Sequence, residues 1–423
     1  MTPQQSASSA EIDLSRFVRP GDRILWGEGA GEPRSLTGAL VEQRAQLGGV
    51  EVFLGVSFSE TFCSGHADHI RFRALGGYGT NARLSHHGAL EIVPSHLSSV
   101  PRLITDGRIG VDVVFVQVSP PDARGRHSLG VVADYVRPAM ARARVVIAEV
   151  DERTPRTRGD TEVDASSFTA VIHADRGPLE VRPSTPGAAE LAIAERVMAF
   201  VPDGSTLQFG IGSTPEAIAG GLTARRDLGI HTSLLGDRVL DLIECGAVTN
   251  ARKGLDRGVT VAGMLVGTRR LYDYAHENPE VELRQIAYTH GASVLSRLEG
   301  FIAINSAVEV DLTGQVNAES VRGVHVGAVG GAVDFMRGAA AAPGGCSIVA
   351  LPSTARDGAL SRIVSKLSNG VATAPRSDVH LVATEHGVAD LRGRSLRERA
   401  EQMIAIAEPA FREELTVASR DLT

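Results

Sequence analysis

A chain of 423 residues is too long for one ordinary core, so two domains are expected. Its composition, with 43% hydrophobic and 22% charged residues, is typical of globular proteins and excludes a disordered or fibrous chain. The net charge of −7 comes without a long basic run, which gives no reason to expect nucleic acid or anionic lipid as a partner.

The chain shows no sequence signal for a membrane, an export route or a metal site. No basic region followed by an apolar run stands at its N-terminus, and no stretch reaches about eighteen uninterrupted apolar residues. We therefore expect a cytoplasmic protein with no membrane partner. Cys63, Cys245 and Cys346 are widely spaced without a C-x-x-C pattern, so we predict no disulfide framework and no metal, and we expect all three cysteines to be buried.

The two halves of the chain contain a weak repeat. Gly27 and Gly29 correspond to Gly210 and Gly212 with the same offset of 183 residues (210 − 27 and 212 − 29). Each pair follows a short apolar strand and precedes a helix with a proline near its start. Glycine after a strand lets a ligand approach the backbone closely, although it also suits a tight turn without a ligand. Because the pattern occurs twice, we predict a ligand site at one copy at least, with Gly210 and Gly212 as candidates.

Short apolar strands alternate with helical patterns along the rest of the chain. The predicted fold class is therefore α/β, with an open, mostly parallel sheet in each half. The predicted strands are 111–118, 145–150, 301–305 and 347–351, and the predicted helices include 190–200 and 396–407. A segment rich in proline and glycine, 177–187, is the best linker candidate, which divides the chain into domains 1–180 and 181–423.

Several segments of the second half carry a recognisable pattern: 229–237, 241–250, 304–320, 330–335 and 384–393. Together and in order they resemble the acetyl-CoA hydrolase/transferase family, which includes 4-hydroxybutyrate, butyrate and succinate CoA-transferases. The resemblance implies two similar domains of the class I CoA-transferase type, usually in a homo-oligomer. It also implies acyl-CoA and a small carboxylic acid as partners, with coenzyme A as a co-substrate and no tightly bound cofactor.

Three positions depart from the family pattern. Where the family carries its nucleophilic glutamate in G-I-H-[ST]-E, this chain has Ser233; where it has Y-[IV]-N, this chain ends in His290; and where it has G-[IV]-G-G-Q, this chain ends in Ala332. A carboxylate is ionised at neutral pH and forms a reactive anhydride, whereas a serine needs a base and cannot become the carbonyl part of an enzyme–CoA thioester. Ser233 therefore argues against the family's ping-pong route.

The candidate catalytic residues are Ser233 and His290. The imidazole of His290 is a candidate base for Ser233 or for a water, and the backbone N–H groups of Gly330 and Gly331 are candidates to bind the oxyanion. The alternative is that Ser233 and His290 fill the space left by glutamate and asparagine. His231 is retained from the family pattern and is expected to orient the site, or to be a hydrogen-bonded histidine at a strand end.

Glu385 resembles a family carboxylate near the substrate and is the best remaining acid. It is a candidate general base for water, or it forms an ion pair with an arginine. Three functions stay open. The first is cleavage of a CoA thioester by hydrolysis or another route without a covalent enzyme–CoA step. The second is CoA transfer that uses another carboxylate, with Glu385 as the first choice. The third is binding of acyl-CoA without catalysis.

Overall fold

The computed structural model describes residues 6–8, 12–368 and 370–420, and the chain divides into two compact units. The first break falls inside the predicted linker 177–187, but each unit also takes in segments from further along the chain. The division into 1–180 and 181–423 therefore stays a prediction. Unit 1 comprises Met1–Arg182, Val261–Thr289 and His325–Gly330, and unit 2 comprises Pro183–Thr260, His290–Val324 and Gly331–Thr423.

The α-helices are numbered in chain order. They are α1 Arg34–Gln43, α2 Asn81–His86, α3 Val100–Thr105, α4 Val136–Arg142, α5 Ala188–Met198, α6 Ser213–Gly221, α7 Asp237–Glu244, α8 Arg269–Ala275, α9 Ile286–Thr289, α10 Ala292–Leu295, α11 Ala332–Ala341, α12 Leu396–Ala405 and α13 Arg412–Ser419. Short strands outside the two large sheets are Arg126–Ser128, Arg158–Gly159, Glu162–Asp164, Leu234–Leu235, Thr260–Ala262, Met264–Leu265, Val281–Leu283, Glu309–Asp311, Val316–Asn317, Ser320–Val321, Val324–His325, Thr354–Ala355, Leu360–Ser361 and Ile363–Val364.

The large sheet of unit 1 is parallel throughout. Its strands lie in the order β1-β8-β7-β6-β2-β3-β4-β5. Strands β3, β4 and β5 therefore lie on one side of β2, and β6, β7 and β8 lie on its other side. The strand order reverses between β2 and β6. The strands are β1 Ser6–Ser8, β2 Arg23–Leu25, β3 Val50–Leu54, β4 Ile70–Ala74, β5 Leu90–Ile92, β6 Val113–Val118, β7 Val145–Asp151 and β8 Ala170–Ala174.

The large sheet of unit 2 has the order β10-β9-β11-β12-β13-β14, with β14 antiparallel and the other strands parallel. Here the strand order reverses between β9 and β11. A crevice outside the carboxyl ends of the strands at such a reversal is where open α/β sheets bind ligands. The strands are β9 Thr206–Phe209, β10 Gly229–Ile230, β11 Phe301–Asn305, β12 Cys346–Ala350, β13 Leu381–Thr384 and β14 Gly387–Asp390.

The predicted α/β class is confirmed, and the predicted elements lie close to the observed ones. The predicted strand 301–305 coincides with β11, and the predicted helices 190–200 and 396–407 differ from α5 and α12 by two residues at their ends. The long apolar runs were informative because strands of a parallel sheet are buried on both faces, and every residue of β6, β7, β11 and β12 is buried.

The expectation for the cysteines is wrong at two of three positions. Cys346 is buried in β12, but Cys63, which directly precedes a short 3-10 helix, and Cys245, in the turn that ends α7, are exposed because neither lies inside a strand or on the inner face of a helix. Among the described residues, no helix combines the length and the apolar character that crossing a bilayer would require.

Candidate active site

The carboxyl edge of the unit 2 sheet places the second G-x-G motif at the reversal of strand order. Gly210 directly follows β9, and Asn305 is the last residue of β11, the neighbouring strand. A Cβ atom on Gly210 would lie 2.9 Å from the Asn305 amide oxygen, so the site requires glycine. Gly212 has φ +126°, and a Cβ there would meet only Pro215, at 4.0 Å. The space around Gly212 is therefore open.

Two buried side-chain amides, those of Gln208 and Asn305, form hydrogen bonds with each other at this edge of the sheet. The Gln208 side-chain nitrogen donates to the Asn305 side-chain oxygen at 3.2 Å, and the Asn305 nitrogen donates to the Gln208 oxygen at 3.0 Å. Gln208 is 2% exposed and Asn305 5% exposed. The sequence prediction did not select either amide. A polar residue inside an otherwise apolar strand was the available signal, because a buried amide needs a hydrogen-bond partner.

His231 and Ser233 follow the edge strand β10 at the same end of the sheet. The His231 N–H donates to the Leu207 carbonyl of β9 at 3.0 Å, which extends the strand pairing one residue beyond β10. The His231 side chain is fully buried. Thr232 is buried too, and its hydroxyl donates to the Phe209 carbonyl at 3.3 Å. Ser233 then lies in a bend and is half-buried.

His290 is brought close to His231 through a row of aromatic rings. The His290 ring packs on Phe335 with centroids 4.5 Å apart, Phe335 lies 6.3 Å from Phe301, and Phe301 lies 6.4 Å from the His231 ring. His290 is 2% exposed. Gly331 lies against it, since a Cβ atom there would be 2.4 Å from His290 Nε2. Histidine, glycine and aromatic rings thus form one compact cluster in unit 2.

Burial decides the protonation state of His290. Loss of hydration, with a smaller contribution from His231, lowers the pKa of His290 to about 3. At neutral pH the ring is therefore uncharged and carries one N–H donor. An imidazole with so low a pKa is a poor general base, because the most effective bases have a pKa near the working pH. A neutral imidazole is well suited to donate a hydrogen bond to a carbonyl oxygen without giving up its proton.

Helix α11 begins beside this imidazole. Gly331 is its N-cap residue, and the Phe335 N–H donates to the Gly331 carbonyl at 3.1 Å in the first turn. The first turn of a helix presents backbone N–H groups and a partial positive charge at its start. Gly331 therefore offers a backbone donor next to the His290 ring.

Gly330 belongs to unit 1, where its neighbours differ from those of Gly331. Its backbone has φ +54°, in the left-handed region, and a Cβ atom there would lie 3.0 Å from the Tyr78 hydroxyl. The Leu97 N–H donates to the Gly330 carbonyl at 2.9 Å. Glycine at 330 is thus explained within unit 1 by backbone conformation and packing.

Glu385 follows β13 at the same edge of the unit 2 sheet. Four strand spacings of ~4.8 Å separate β13 from β10, which corresponds to roughly 19 Å between their ends. The Glu385 carboxylate accepts hydrogen bonds from the Ser353 N–H at 2.8 Å and from the Ser353 hydroxyl at 2.7 Å. Two arginines bear on the predicted alternative of an arginine partner: Arg196 Nε donates to the Glu385 backbone carbonyl at 2.8 Å, and the guanidinium of Arg362 interacts electrostatically with the Glu385 carboxylate.

Within the described ranges, one group has the composition of a metal site. Ligand atoms of Glu385, His386 and Glu408 lie within 4.8 Å of one another. However, His386 Nε2 lies 2.9 Å from a Glu408 oxygen, which is a hydrogen-bond distance. Two tetrahedral ligands at about 2.0–2.2 Å from one zinc ion stand roughly 3.3–3.6 Å apart. His386 and Glu408 are therefore hydrogen-bonded to each other and are not spaced as two ligands of one zinc ion, while the Glu385 carboxylate lies 3.9 Å from His386 Nε2.

Comparison with known proteins identifies the family. Residues 6–181 match the acetyl-CoA hydrolase/transferase N-terminal domain, and residues 267–419 match the corresponding C-terminal domain. The chain belongs to the acetyl-CoA hydrolase/transferase family, and it is an enzyme of the kind that processes CoA thioesters.

Some relatives are named as CoA-transferases and others as acetyl-CoA hydrolases. The chain is 39% identical to a 4-hydroxybutyrate coenzyme A transferase of Clostridium kluyveri over 410 residues, which cover 96% of this chain and 95% of the relative. It is 27% identical to an acetyl-CoA hydrolase of Kluyveromyces lactis, across 96% of this chain and 87% of the relative.

Solved structures agree on the fold. RipA from Yersinia pestis superposes with a TM-score of 0.93 at 33% identity, covering 99% of this chain and 97% of RipA. A 4-hydroxybutyrate CoA-transferase from Porphyromonas gingivalis superposes with a TM-score of 0.82, also at 33% identity, covering 99% of this chain and 98% of the other. The predicted class I CoA-transferase type of fold is thereby confirmed.

Proposed function

We propose that this enzyme cleaves an acyl-CoA thioester by direct attack of water, without an enzyme–CoA thioester. The proposal depends on two features of unit 2: Ser233 stands at the position expected for the family's glutamate, and His290 is buried and neutral. A serine cannot take CoA onto its side chain as a thioester, so the second half of the ping-pong route is not available at this position.

The proposed oxyanion site consists of His290 and Gly331. The neutral imidazole N–H and the Gly331 backbone N–H donate to the thioester oxygen as negative charge develops on it. Donors of this kind are effective because they are already oriented and lie where water is excluded. Burial of His290 supports this role, since the same burial that removes its basicity strengthens its hydrogen bonds.

The remaining steps concern water and the leaving group. The oxygen of a water attacks the carbonyl carbon, the carbon–sulfur bond breaks, and CoA leaves as a thiolate. Because a thiol has a pKa near 8.5, the thiolate leaves without a strong general acid. His231, two residues from Ser233, is the proposed acceptor of the proton lost by water, with the Ser233 hydroxyl orienting that water. The products are a carboxylic acid and free CoA.

The proposed substrates are thioesters of small carboxylic acids, as the names of the relatives suggest. The proposal includes a homo-oligomer, for which light scattering after gel filtration is the direct measurement. The backbone at Gly210 and Gly212 and the open space at Gly212 are the proposed contact for the substrate, since α6 begins there.

One assay tests the reaction. The protein is incubated with acetyl-, butyryl-, 4-hydroxybutyryl- and succinyl-CoA, with and without acetate or succinate, in water enriched in oxygen-18. We expect free CoA to appear at a rate that does not depend on the acceptor, with label in the acid product. Acceptor-dependent formation of a new acyl-CoA, without label, would contradict hydrolysis.

CoA transfer is the second candidate, because relatives such as the C. kluyveri protein are named as transferases at higher identity than the hydrolases. In that case Glu385 is the proposed nucleophile, although its carboxylate already accepts two hydrogen bonds from Ser353. Glu385→Gln would abolish acceptor-dependent exchange if this candidate is correct and would leave hydrolysis intact otherwise. If no thioester is consumed while acyl-CoA raises the melting temperature, the protein is an acyl-CoA binder.

Replacing Ser233 with glutamate tests the role of this position directly. We expect the Ser233→Glu variant to gain acceptor-dependent CoA exchange and to form an adduct with CoA that intact-protein mass spectrometry detects. Ser233→Gln is the control, because its amide has a similar size but is no nucleophile. Equal behaviour of the two variants would show that residue 233 is not at the reacting carbonyl.

A further inference from the structure

Strand β10, which directly precedes His231, lies at the edge of the unit 2 sheet. In the part of the chain that the structure describes, its inner side pairs with β9, and its outer side is met by an isolated bridge from Leu228, just before the strand, to Val248. On the inner side, the Gly229 N–H donates to the Ser205 carbonyl at 2.8 Å and the His231 N–H donates to the Leu207 carbonyl at 3.0 Å. The peptide groups of Ile230 point the other way, because alternate residues of a strand bond to opposite neighbours. The outer side of β10 therefore needs other partners.

Two side chains supply those partners. The Ile230 N–H donates to the Asn250 side-chain oxygen at 2.9 Å, and Lys253 Nζ donates to the Ile230 carbonyl at 2.9 Å. Lys253 Nζ also donates to the Val259 carbonyl at 2.7 Å. Asn250 is 5% exposed and Lys253 4% exposed. The two side chains thus form the hydrogen bonds that a neighbouring strand would form.

The absence of a side chain at Gly229 leaves space for Lys253 beside β10. A Cβ atom on Gly229 would lie 2.5 Å from Lys253 Cγ and 2.9 Å from its Cδ, so glycine leaves room for the aliphatic part of the side chain. The Asn250 side-chain nitrogen donates to the Thr260 hydroxyl at 3.0 Å, which fixes the orientation of its amide. Besides their contacts with Ile230, Asn250 therefore contacts Thr260 and Lys253 contacts Val259.

Lysine usage in the sequence is an independent observation. The chain has 43 basic residues of the Lys and Arg types, and only Lys253 and Lys366 are lysines, against 41 arginines. Lys366 is exposed, whereas Lys253 is buried. A buried charge is costly unless it is well paired, and an ammonium is compact where a guanidinium is a broad planar fork. At position 253 the chain therefore has a buried lysine, whereas nearly all of its other basic residues are arginines.

We propose that Asn250 and Lys253 are positioning residues for the reaction, and that they hold the Ile230 peptide so that His231 and Ser233 stay in register with the substrate. This inference rests on the proposed function of the 231–233 segment. A catalytic segment that shifts by about 1 Å can lose two orders of magnitude in rate, which makes a fixed edge strand valuable. Neither residue is proposed to touch the substrate.

The test measures thioester turnover in three variants of the full-length protein: Lys253→Met, Asn250→Ala and the double variant. We expect Lys253→Met to lower kcat by at least about tenfold with KM within about threefold of wild type. We expect the double variant to be little worse than the poorer single variant, because both anchors act on one peptide group. Lys253→Arg keeps the charge and is expected to restore part of kcat.

A stability control separates positioning from general loss of structure. Met403 is a fully buried residue of α12. Met403→Ala opens a cavity in the core and is expected to lower the melting temperature without changing kcat. Amine-specific acetylation followed by mass spectrometry gives a second measurement. Exposed Lys366 is the internal standard, and Lys253 is expected to react far more slowly in the wild type and faster in Asn250→Ala.

Two outcomes are decisive in different ways. If Lys253→Met and Met403→Ala lose similar thermal stability and both keep kcat within about threefold of wild type, the two residues are merely structural and the inference is overturned. If the wild type consumes no thioester at all, the proposed function itself fails, and the positioning role fails with it.

Discussion

Strand β2 of unit 1 and strand β9 of unit 2 are each followed by the same short motif, but the residue between the two glycines is Glu28 in unit 1 and Ile211 in unit 2. In unit 1 the motif is packed with the protein's own side chains: Glu28 is 5% exposed, and a Cβ atom on Gly27 would lie 2.6 Å from Val132. In unit 2, Ile211 is 39% exposed and Gly212 faces open space.

The two edges also hold opposite kinds of buried titratable groups. In unit 1, burial and the neighbouring Asp134 raise the pKa of Glu28 to about 8, and burial raises the pKa of Asp134 to about 7. Glu149 accepts hydrogen bonds from the Ser35 and Leu36 N–H groups at 2.9 and 3.1 Å, and so occupies the start of α1 where an external anion would bind. Unit 2 instead has a neutral histidine and an accessible motif. The unit 1 copy of the repeat is filled by the protein's own carboxyl groups, whereas the unit 2 copy is open at Gly212.

Removing the imidazole of His290 is expected to have the largest effect on activity. If His290 is a hydrogen-bond donor, His290→Ala should lower kcat by about 10²–10³-fold, whereas His290→Gln, which keeps an N–H donor, should stay within about tenfold of wild type. Because the pKa of His290 is lowered to about 3 by burial, kcat should show no step from this residue between pH 5 and 8. Equal loss in both variants would instead identify His290 as a base.

A matched pair of glycine substitutions tests the difference between the two motifs directly. In Gly331→Ala the new methyl group would lie 2.4 Å from His290 Nε2, so we expect kcat to fall by about a hundredfold as the ring is displaced. In Gly27→Ala it would lie 2.6 Å from Val132, so we expect a loss of about 1–3 kcal/mol in stability through overpacking. Steady-state kinetics and thermal unfolding of both variants check this. A large loss of kcat in Gly27→Ala that exceeds its unfolded fraction would contradict the division of roles.

Much of this fold could be predicted because its signals are local. The buried strands 145–151 and 301–305 are continuous apolar runs, and the repeated G-x-G marks the end of β2 and of β9 within a few residues. The order of strands is not local. Glu385 follows β13, and β13 lies four strands from β10 in the sheet. This separation depends on the sheet topology, and no spacing in the sequence predicts it.

The protonation state of His290 could not be predicted for a similar reason. It depends on Phe335 and Gly331, which are more than forty residues away in the chain and come into contact only through tertiary packing. Lys253 does have a signal in the sequence, because lysine is rare among the basic residues. What composition does not show is that Lys253 is buried against Gly229 while Lys366 is exposed.

Stability should respond to pH in opposite directions in the two units. The folded pKa of Glu28 is raised, so its contribution to stability is complete below about pH 4.5 and is lost as the pH rises through about 8. The folded pKa of His290 is lowered, so its contribution is complete above pH 6.5 and is lost as the pH falls towards 3. Each change is on the order of 1 kcal/mol per pH unit within its window.

Thermal unfolding of single variants at pH 5.5 and pH 8.5 measures these two responses. Relative to wild type, Glu28→Gln should gain stability as the pH rises, and His290→Gln should gain stability as the pH falls. If both variants follow the wild-type curve in parallel, the carboxyl pair and the histidine are not the groups that set the pH dependence.

The smallest expected effect concerns the residues between the paired glycines. Ile211 is exposed at the edge where acyl-CoA is proposed to bind, so Ile211→Ser should raise KM by about threefold, the equivalent of ~0.65 kcal/mol, with little change in kcat or melting temperature. Glu28→Ala, at the corresponding position of unit 1, should lower the melting temperature and leave KM unchanged. It removes a buried side chain that accepts a hydrogen bond from the Val56 N–H at 3.3 Å. A rise in KM with Glu28→Ala and none with Ile211→Ser would exchange the roles of the two edges and make unit 1 the place to search for the ligand.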